Sequence, residues 1–585
     1  MNFDQGFENP RLAQTTLQNI LEHAARRGFE EPARKVLAEK ISRTFAQGVA
    51  DPEAALISLE RLFSEGDSEL IWLLAGERLE KVLKFFGYSE FLGRHALKYP
   101  EQLKSALEKI ERGKAVREKI FQELEEKISG AQSFEELSRG LRVFKNERYL
   151  MLGLENLFAL DRLEDEMAEV SWIAEACLEL GLQQLLKLRS GKKRVGENGC
   201  EAKTPLCVLG MGKLGSGELN FSSDIDLVYL CPESGSAAGD DNRFREYTSL
   251  AEQLTRLLSE ITELGFIFRI DLRLRPGGEN GPLVNPLDAA VDYYQNFGRN
   301  WERAALLRCR PLAGELALGR KFLQEIESFV FRRSHDFASF EDLKELKTRI
   351  DQEARRQAGQ DGFSGYDVKL GPGGIREIEF FVQALQLIYG GRHPELRIPH
   401  TMQALNKLQE KGLVNAKDAQ ALAEAWHLLR RIEHRIQLKS LRQDHCIPKN
   451  RRSQEILARS FGFCGKDATE KLKSEMVRAT TAVASIFSGL FGEELKQPSN
   501  RFVKLLDFEA EPEEMETEFA QLHFEEPDLA AESWSRILNP LRRAQRAPRL
   551  LAEVLPVLLQ EIAASPEPDL ALLQLEKFLS RTGAG

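Results

Sequence analysis

A chain of 585 residues is too long for one hydrophobic core and predicts several domains. With 42% hydrophobic and 29% charged residues its composition is that of a water-soluble globular protein. The net charge of −10 argues against a surface built mainly to bind nucleic acid or an anionic membrane.

The opening Met1-Asn2-Phe3-Asp4-Gln5 lacks the basic and apolar regions of a secretion signal. Apolar runs are short: the stretch Val554 to Leu559 is interrupted by Pro556, so no membrane span is expected. The cysteines (Cys177, Cys200, Cys207, Cys231, Cys309, Cys446 and Cys464) are scattered and form no Cys-x-x-Cys pair. That pattern predicts reduced thiols and a cytoplasmic setting.

Residues 1 to about 185 read as almost entirely helical. Leu56, Leu59, Leu62, Leu70, Leu73, Leu74, Leu79 and Leu83 recur at largely helical intervals. Val143 and the segment Leu150 to Leu154 continue the pattern, and a long helix is expected from Glu164 to about Leu188. The polar, glycine-bearing stretch Arg189 to Gly199 reads as a loop. Strand-like segments follow, from Leu206 to Leu230 and from Phe266 to Leu274, the only convincing strands in the chain. From about Phe340 the sequence is helical again. One helix carries the apolar stripe Leu422, Ala425, Trp426, Leu429, Ile432 and Ile436. The acidic stretch Asp507 to Glu514 reads as a linker or helix start, and a last helical piece runs from about Leu529 onward.

The expected architecture is mainly α with one small α/β domain and helical bundles on either side. The expected division is a helical region at 1–130, the α/β domain with its preceding helices at 131–330, a helical bundle at 331–495 and a helical linker region at 496–585.

The informative stretch runs from Cys207 to Leu230 and contains Ser222-Ser223-Asp224-Ile225-Asp226-Leu227. Alternation along a strand puts Asp224 and Asp226 on one face, with Ile225, Leu227 and Tyr229 on the other. Two ionised carboxylates this close repel each other, and a divalent cation with oxygen ligands offsets that directly. In Phe266 to Pro276 the same alternation groups Asp271 with Arg273 and Arg275. If the two strands are neighbours, three carboxylates and two guanidiniums converge. Such a set can hold two Mg²⁺ ions for in-line displacement at phosphorus, with the arginines on phosphate oxygens.

Gly210, Gly212, Gly215 and Gly217 lie between the first strand and the acidic strand, where backbone N–H groups can approach phosphate closely. Gly210-x-Gly212-x-x-Gly215 also matches a dinucleotide-binding pattern. That motif needs a full helix, another strand and an acid about twenty residues on. Only about a dozen residues separate these glycines from the next strand, and Leu230 stands near the required acid's position.

Lys369, Arg376, Glu377 and Glu379 flank a glycine turn that opens a helix, a place suited to an anion. The glutamates there are equally explained by helix-start electrostatics and an ion pair. Trp301-Glu302-Arg303 is a candidate for a base pocket or for packing between domains. His427 and His434 read as bundle surface rather than metal ligands, and Arg430, Arg431 and Arg435 as a solvated face or, alternatively, as a contact for an acidic partner.

These residues resemble the polymerase-beta-like nucleotidyltransferase superfamily, marked by a glycine-containing turn, Asp-hydrophobic-Asp and a later strand acid. The usual Gly-Ser pair stands slightly closer to the first acid, at Gly215-Ser216, while Gly212 lies at the longer spacing seen in one branch. That branch is the glutamine synthetase adenylyltransferase (adenylyl-removing enzyme) family. The likeness is carried by Gly210 to Gly215, Glu218 to Leu227, Asp271 to Pro276, Trp301 to Leu306 and Lys369 to Phe380, and it spans roughly residues 80 to 585.

Members of that family usually hold two such units in tandem. One removes AMP from a tyrosine of glutamine synthetase by phosphorolysis, giving ADP; the other attaches AMP from ATP. A single Asp-x-Asp unit of the amino-terminal type implies AMP removal here, and a piece of a longer protein or one half of a split system. Attachment of AMP is the alternative, and an inert scaffold binding a nitrogen-signal protein a further one. A nucleic-acid end-extending enzyme fits poorly with the acidic charge. The resemblance implies Asp224, Asp226 and Asp271 as catalytic and metal-binding residues with two Mg²⁺ ions. It implies Gly212, Lys213, Gly215, Ser216, Arg273, Arg275, Lys369 and Arg376 as nucleotide or phosphate contacts. The expected partners are glutamine synthetase, ATP, ADP, phosphate and a PII-type regulatory protein, with no nucleic acid and no membrane.

Overall fold

The computed structural model describes residues 7, 9–76, 78–110, 116–156, 162–190, 206–232, 240–332, 337–356, 362–491, 505, 512–522, 524–543, 559, 561–563, 565 and 567–581. They fall into two compact units, one made of Met1–Arg333 and Ile350–Phe487, the other of Ser334–Arg349 and Ser488–Gly585.

The larger unit opens with helices, as the leucine spacing predicts. Leu56, Leu59, Leu62, Leu70, Leu74, Leu79 and Leu83 are all buried. Asn9, Asp51 and Asp67 start three of these helices by accepting a hydrogen bond from the backbone N–H three residues on. Pro10 and Pro52 occupy the first turn, where a missing N–H costs nothing. The long helix spans Leu163–Ser190, close to its expected limits. Arg189 and Ser190 are its last residues, and the rest of the expected loop, 191–199, lies outside the described residues.

A five-stranded mixed sheet follows. Its strands are β1 (Cys207–Met211), β2 (Ile225–Cys231), β3 (Ile270–Asp271), β4 (Val284–Pro286) and β5 (Arg310–Gly314). The order is β3-β2-β1-β5. β1 is antiparallel to both β2 and β5. β3 and β4 both run parallel to β2, β3 at Ile225–Asp226 and β4 at Tyr229–Cys231. The sequence pattern anticipates β1, β2 and the core of β3 but misses β4 and β5. β3 is also much shorter than expected. The chain turns after Asp271, so Leu272 to Arg275 do not continue the alternation. The Leu163–Ser190 helix packs on β5.

The second half of this unit is a helical bundle. Its longest member, Ala416–Ser440, is capped by the Asn415 side chain and contacts the helices Glu90–Lys98, Leu163–Ser190, Ile375–Tyr389 and Thr401–Glu410. Its apolar stripe is buried as predicted, with Trp426, Leu429 and Ile432 fully enclosed. Its polar residues correct the expectation. Arg430, Glu433, His434 and Arg435 are no more than 2% exposed. Arg430 and Arg435 are thus no solvated face and His434 no bundle surface, because elements remote in sequence cover them, while Arg431 is half-buried. The Arg430 guanidinium donates to Glu433 Oε2 (2.8 Å) and to the Glu218 carbonyl (2.5 Å). Lys213 Nζ lies 2.9 Å from the other Glu433 oxygen, and His445 Nδ1 3.0 Å from it. Burial opposes ionisation of Glu433, yet Lys213, Arg430 and His445 hold its carboxyl well below the usual range. A buried pair of this kind loses ~3–5 kcal/mol when one member is removed, because the other charge is left alone.

The smaller unit has its own core. Phe519, Phe524 and Leu572 pack around Trp534, whose indole N–H donates to the Leu505 carbonyl. Pro512 to Glu514 open the helix Pro512–Gln521; the rest of the acidic stretch lies outside the described residues.

The turn after β1 tests the fold directly. A Cβ on Gly215 would sit 1.8 Å from the Arg308 carbonyl oxygen, a backbone atom that cannot step aside. Gly215→Ala is therefore expected to lower the thermal midpoint by several degrees or to prevent soluble expression. A melting curve matching the unmodified protein would contradict this packing.

Candidate functional site: an acidic centre on two parallel strands

The site is assembled by β2 and β3. Asp226 and Asp271 are paired residues across the parallel ladder, so their side chains leave the same face at one level. Asp224 stands immediately before β2. The three acids foreseen in the sequence are thus neighbours, and each has a different environment.

Asp224 is held at both oxygens. Oδ1 accepts from Arg269 Nε at 2.6 Å and Oδ2 from Gln443 Nε2 at 3.0 Å. Arg269 also donates to the Ser222 carbonyl at 2.5 Å. Asp271 is clasped by Arg273, whose Nε lies 3.0 Å from both carboxylate oxygens. That hydrogen bond holds Asp271 below the usual carboxylate range.

Asp226 has no hydrogen-bond or ion-pair partner among the described residues. Desolvation, then Asp271 and Asp224, push its carboxyl up to about 7, while Lys369 and Arg273 partly offset this. Its oxygen lies where a Cβ on Gly212 would come within 2.7 Å, and Gly212 has φ +54°. Gly212 is needed because only a residue without a side chain leaves room for this carboxylate in that backbone conformation. Close approach to phosphate, expected from the sequence, is a different role from this one.

The remaining expected contacts are less uniform. The Lys369 ammonium is within electrostatic reach of Asp226, Lys213 and Glu379, and its side chain has no ion-pair or hydrogen-bond partner among the described residues. Its loop is fixed: Asp367 Oδ1 accepts from the Lys369 and Leu370 N–H groups, and a Cβ on Gly373 would sit 1.9 Å from the Thr480 carbonyl oxygen. Arg376 pairs with Glu353. The N–H groups of Ile375 and Arg376 donate to the carbonyls of Val368 and Lys369, so this helix start is already satisfied by backbone.

Arg275 does not face the acids. The chain turns after Asp271, and its guanidinium binds the carbonyls of Leu272, Glu279, Gly281 and Pro282. Lys213 lies in the buried pair with Glu433, where burial and then Arg430 push its ammonium down. The Ser216 hydroxyl donates to Glu218 at 3.0 Å. Glu302 closes a capping box with Arg299, and Arg303 donates to the Val330 carbonyl, which leaves Trp301 half-exposed beside them. His434 is buried and edge-on to Phe221, whereas His427 contacts Glu164 at 2.9 Å.

Two residues of the site escape the sequence reading. Arg269 shares parity with Asp271 and could have been placed on the acidic face by alternation. Gln443 carries no local signal, since it lies 219 residues from the acid it touches.

Among the described residues, no three acid, His or Cys side chains stand close enough to hold an ion as they lie. The donor chemistry nevertheless fits a hard divalent cation. The residues offer only carboxylate oxygens, one of them unpartnered, partly desolvated and destabilised by two like charges. An ion shared by all three acids would compete with Arg269 for Asp224 and with Arg273 for Asp271.

The raised Asp226 pKa has a signed consequence. The folded state holds this proton more tightly than the unfolded chain, whose carboxyl titrates near 3.8. Its contribution is therefore fully present below that value and is lost as pH rises toward about 7. In chelator, Asp226→Asn is expected to melt above the unmodified protein, with a gap that widens from pH 4.5 to pH 8. A gap independent of pH would contradict the raised Asp226 carboxyl, which burial and then Asp271 and Asp224 produce.

Comparison with known proteins gives the geometry a family. Residues 79–325 match the model for glutamate-ammonia ligase adenylyltransferase, and residues 344–491 that for GlnD PII-uridylyltransferase. The chain is similar to proteins named bifunctional glutamine synthetase adenylyltransferase/adenylyl-removing enzyme. It is 36% identical over 458 residues to the one from Rhizobium meliloti (strain 1021), covering 77% of this chain and 46% of that relative. It is 35% identical over 426 residues to the one from Hahella chejuensis (strain KCTC 2396), covering 72% and 43%. The chain thus spans about half the length of the curated relatives it matches. With the acidic centre lying inside the segment that matches, residues 79–325 form a domain of the glutamate-ammonia ligase adenylyltransferase family.

Proposed function

We propose that this chain is a nucleotidyltransferase that removes AMP from a tyrosine of glutamine synthetase by phosphorolysis. The observation that carries the chemistry is the Asp226–Asp271 pair across parallel strands, with Asp224 beside it. The substrate is proposed from the names of the relatives. The direction is proposed from the likeness of the Asn220 to Ser223 and Gly374 to Glu377 segments to amino-terminal units. Attachment of AMP from ATP is the second reading, since the relatives' names carry both activities.

In the proposed reaction an oxygen of inorganic phosphate attacks the AMP phosphorus. The bond from that phosphorus to the tyrosine oxygen breaks, the phenolate leaves and takes up a proton, and ADP departs. Asp224, Asp226 and Asp271 would hold Mg²⁺, two ions in our reading, and the metal would withdraw charge from the reacting phosphates. Phosphate as the attacker brings a second anion beside the first, so the chain must supply cations. Lys369 is the favoured one: it is electrostatically coupled to Asp226 and has no partner among the described residues. Arg273 stands next, on Asp271. Gly212 seats Asp226. Lys213, Gly215, Ser216, Arg275 and Arg376 support the surrounding backbone and ion pairs rather than contacting phosphate in this reading. A PII-type protein is proposed as a regulatory partner on the strength of the match over residues 344–491.

The direct test mixes the protein with AMP-modified glutamine synthetase, Mg²⁺ and labelled phosphate. Label in ADP is expected. Free AMP without labelled ADP would show hydrolysis, and AMP transfer from ATP onto the unmodified synthetase would reverse the assigned direction. Asp226→Asn should cut turnover at least about a hundredfold, corresponding to ~2.7 kcal/mol of barrier. Lys369→Ala should raise the phosphate KM about tenfold with an unchanged melting curve. An unaltered KM would remove Lys369 from the phosphate site.

A further inference from the structure

The acidic turn before β2 is gripped by an element far away in sequence. The Ser222 N–H donates to Gln437 Oε1 at 2.9 Å, and the Ser222 hydroxyl donates to the Leu441 carbonyl at 2.9 Å. Gln443 then reaches Asp224 itself at 3.0 Å. All three come from the end of the Ala416–Ser440 helix and the loop behind it. Gln437 is 1% exposed, so its bond is shielded from water.

The path of the chain makes this possible. Leu441 caps the helix in the left-handed region, at φ +48°, and it is the only residue other than glycine with positive φ among those described. A side chain in that region is disfavoured, because its Cβ crowds the backbone carbonyl. The kink turns the chain back so that Leu441 offers its carbonyl to Ser222 and Gln443 its amide to Asp224. The geometry points to Gln437 and Gln443 as positioning residues for Asp224: the helical bundle fixes the carboxylate that the α/β sheet presents.

The inference rests on the proposed acidic centre. Gln443 on Oδ2 keeps the plane of the Asp224 carboxylate set when Arg269 gives up Oδ1 to an ion. Arg269 supplies one hold from the sheet and Gln443 the other from the bundle. Partners that orient a metal ligand typically change metal affinity by about 10–100-fold when removed. Gln443 is exposed, so it can be changed with little risk to the fold.

The test is Mn²⁺ binding to the full chain, followed by electron paramagnetic resonance alongside thermal melting. Gln443→Met, similar in size but without a donor, is expected to weaken Mn²⁺ binding about tenfold or more while melting like the unmodified protein. Gln437→Leu should weaken it too, and Gln437→Glu, which keeps the acceptor for Ser222, should recover part of the loss. Unmodified protein that binds Mn²⁺, with Gln443→Met and Gln437→Leu binding just as tightly, would overturn the positioning role alone. Absence of Mn²⁺ binding by the unmodified protein would instead sink the acidic-centre reading, and this inference with it.

Discussion

Carboxylates placed opposite each other on parallel strands repel, and that repulsion organises the surroundings of this site. Asp226 and Asp271 face each other across β2 and β3, and Asp224 adds a third charge. Guanidinium groups answer it on two sides: Arg273 takes Asp271 and Arg269 takes Asp224. Asp226 is left without such a partner among the described residues, and burial first, then the charges of Asp271 and Asp224, push it toward its protonated form. A group that resists ionisation in the free protein, yet offers a good oxygen donor once a cation approaches, suits metal binding coupled to proton release.

A second layer of charge, buried rather than partly open, ties the sheet to the helical bundle. Glu433 gathers Lys213, Arg430 and His445, and Glu218 accepts from the Thr401 N–H and hydroxyl at 2.8 Å and 2.9 Å. Every charge in this layer needs its neighbours, so the turn after β1 and the helix Ala416–Ser440 are fixed together. The glycines serve the same end. Gly212 makes room for Asp226 and Gly215 for the Arg308 backbone.

Much of this was legible in the sequence because it depends on local periodicity. The leucine stripes, the long Leu163–Ser190 helix, β1, β2 and the grouping of Asp224, Asp226 and Asp271 all follow from alternation or helical spacing. What was missed depends on partners distant in the chain. Arg430, Arg431 and Arg435 look like a solvated face until the Glu218 carbonyl is brought against Arg430 and Lys213 against its partner Glu433. β4 and β5 are short and carry prolines, so neither shows a strand pattern; they exist because β2 and β1 offer edges. Arg275 followed the right parity, but parity ceased to apply where the chain turns after Asp271. Gln443 could not have been found without the left-handed turn at Leu441.

The central claim is that the three aspartates form one cation site whose guanidinium partners yield to metal. It is tested most directly by anomalous scattering from crystals grown with Mn²⁺. Manganese is expected on Asp226 together with Asp224 and Asp271, with Arg269 and Arg273 withdrawn from the acids they now hold. Manganese bound elsewhere, with Asp226 unligated and both arginine pairs intact, would contradict it.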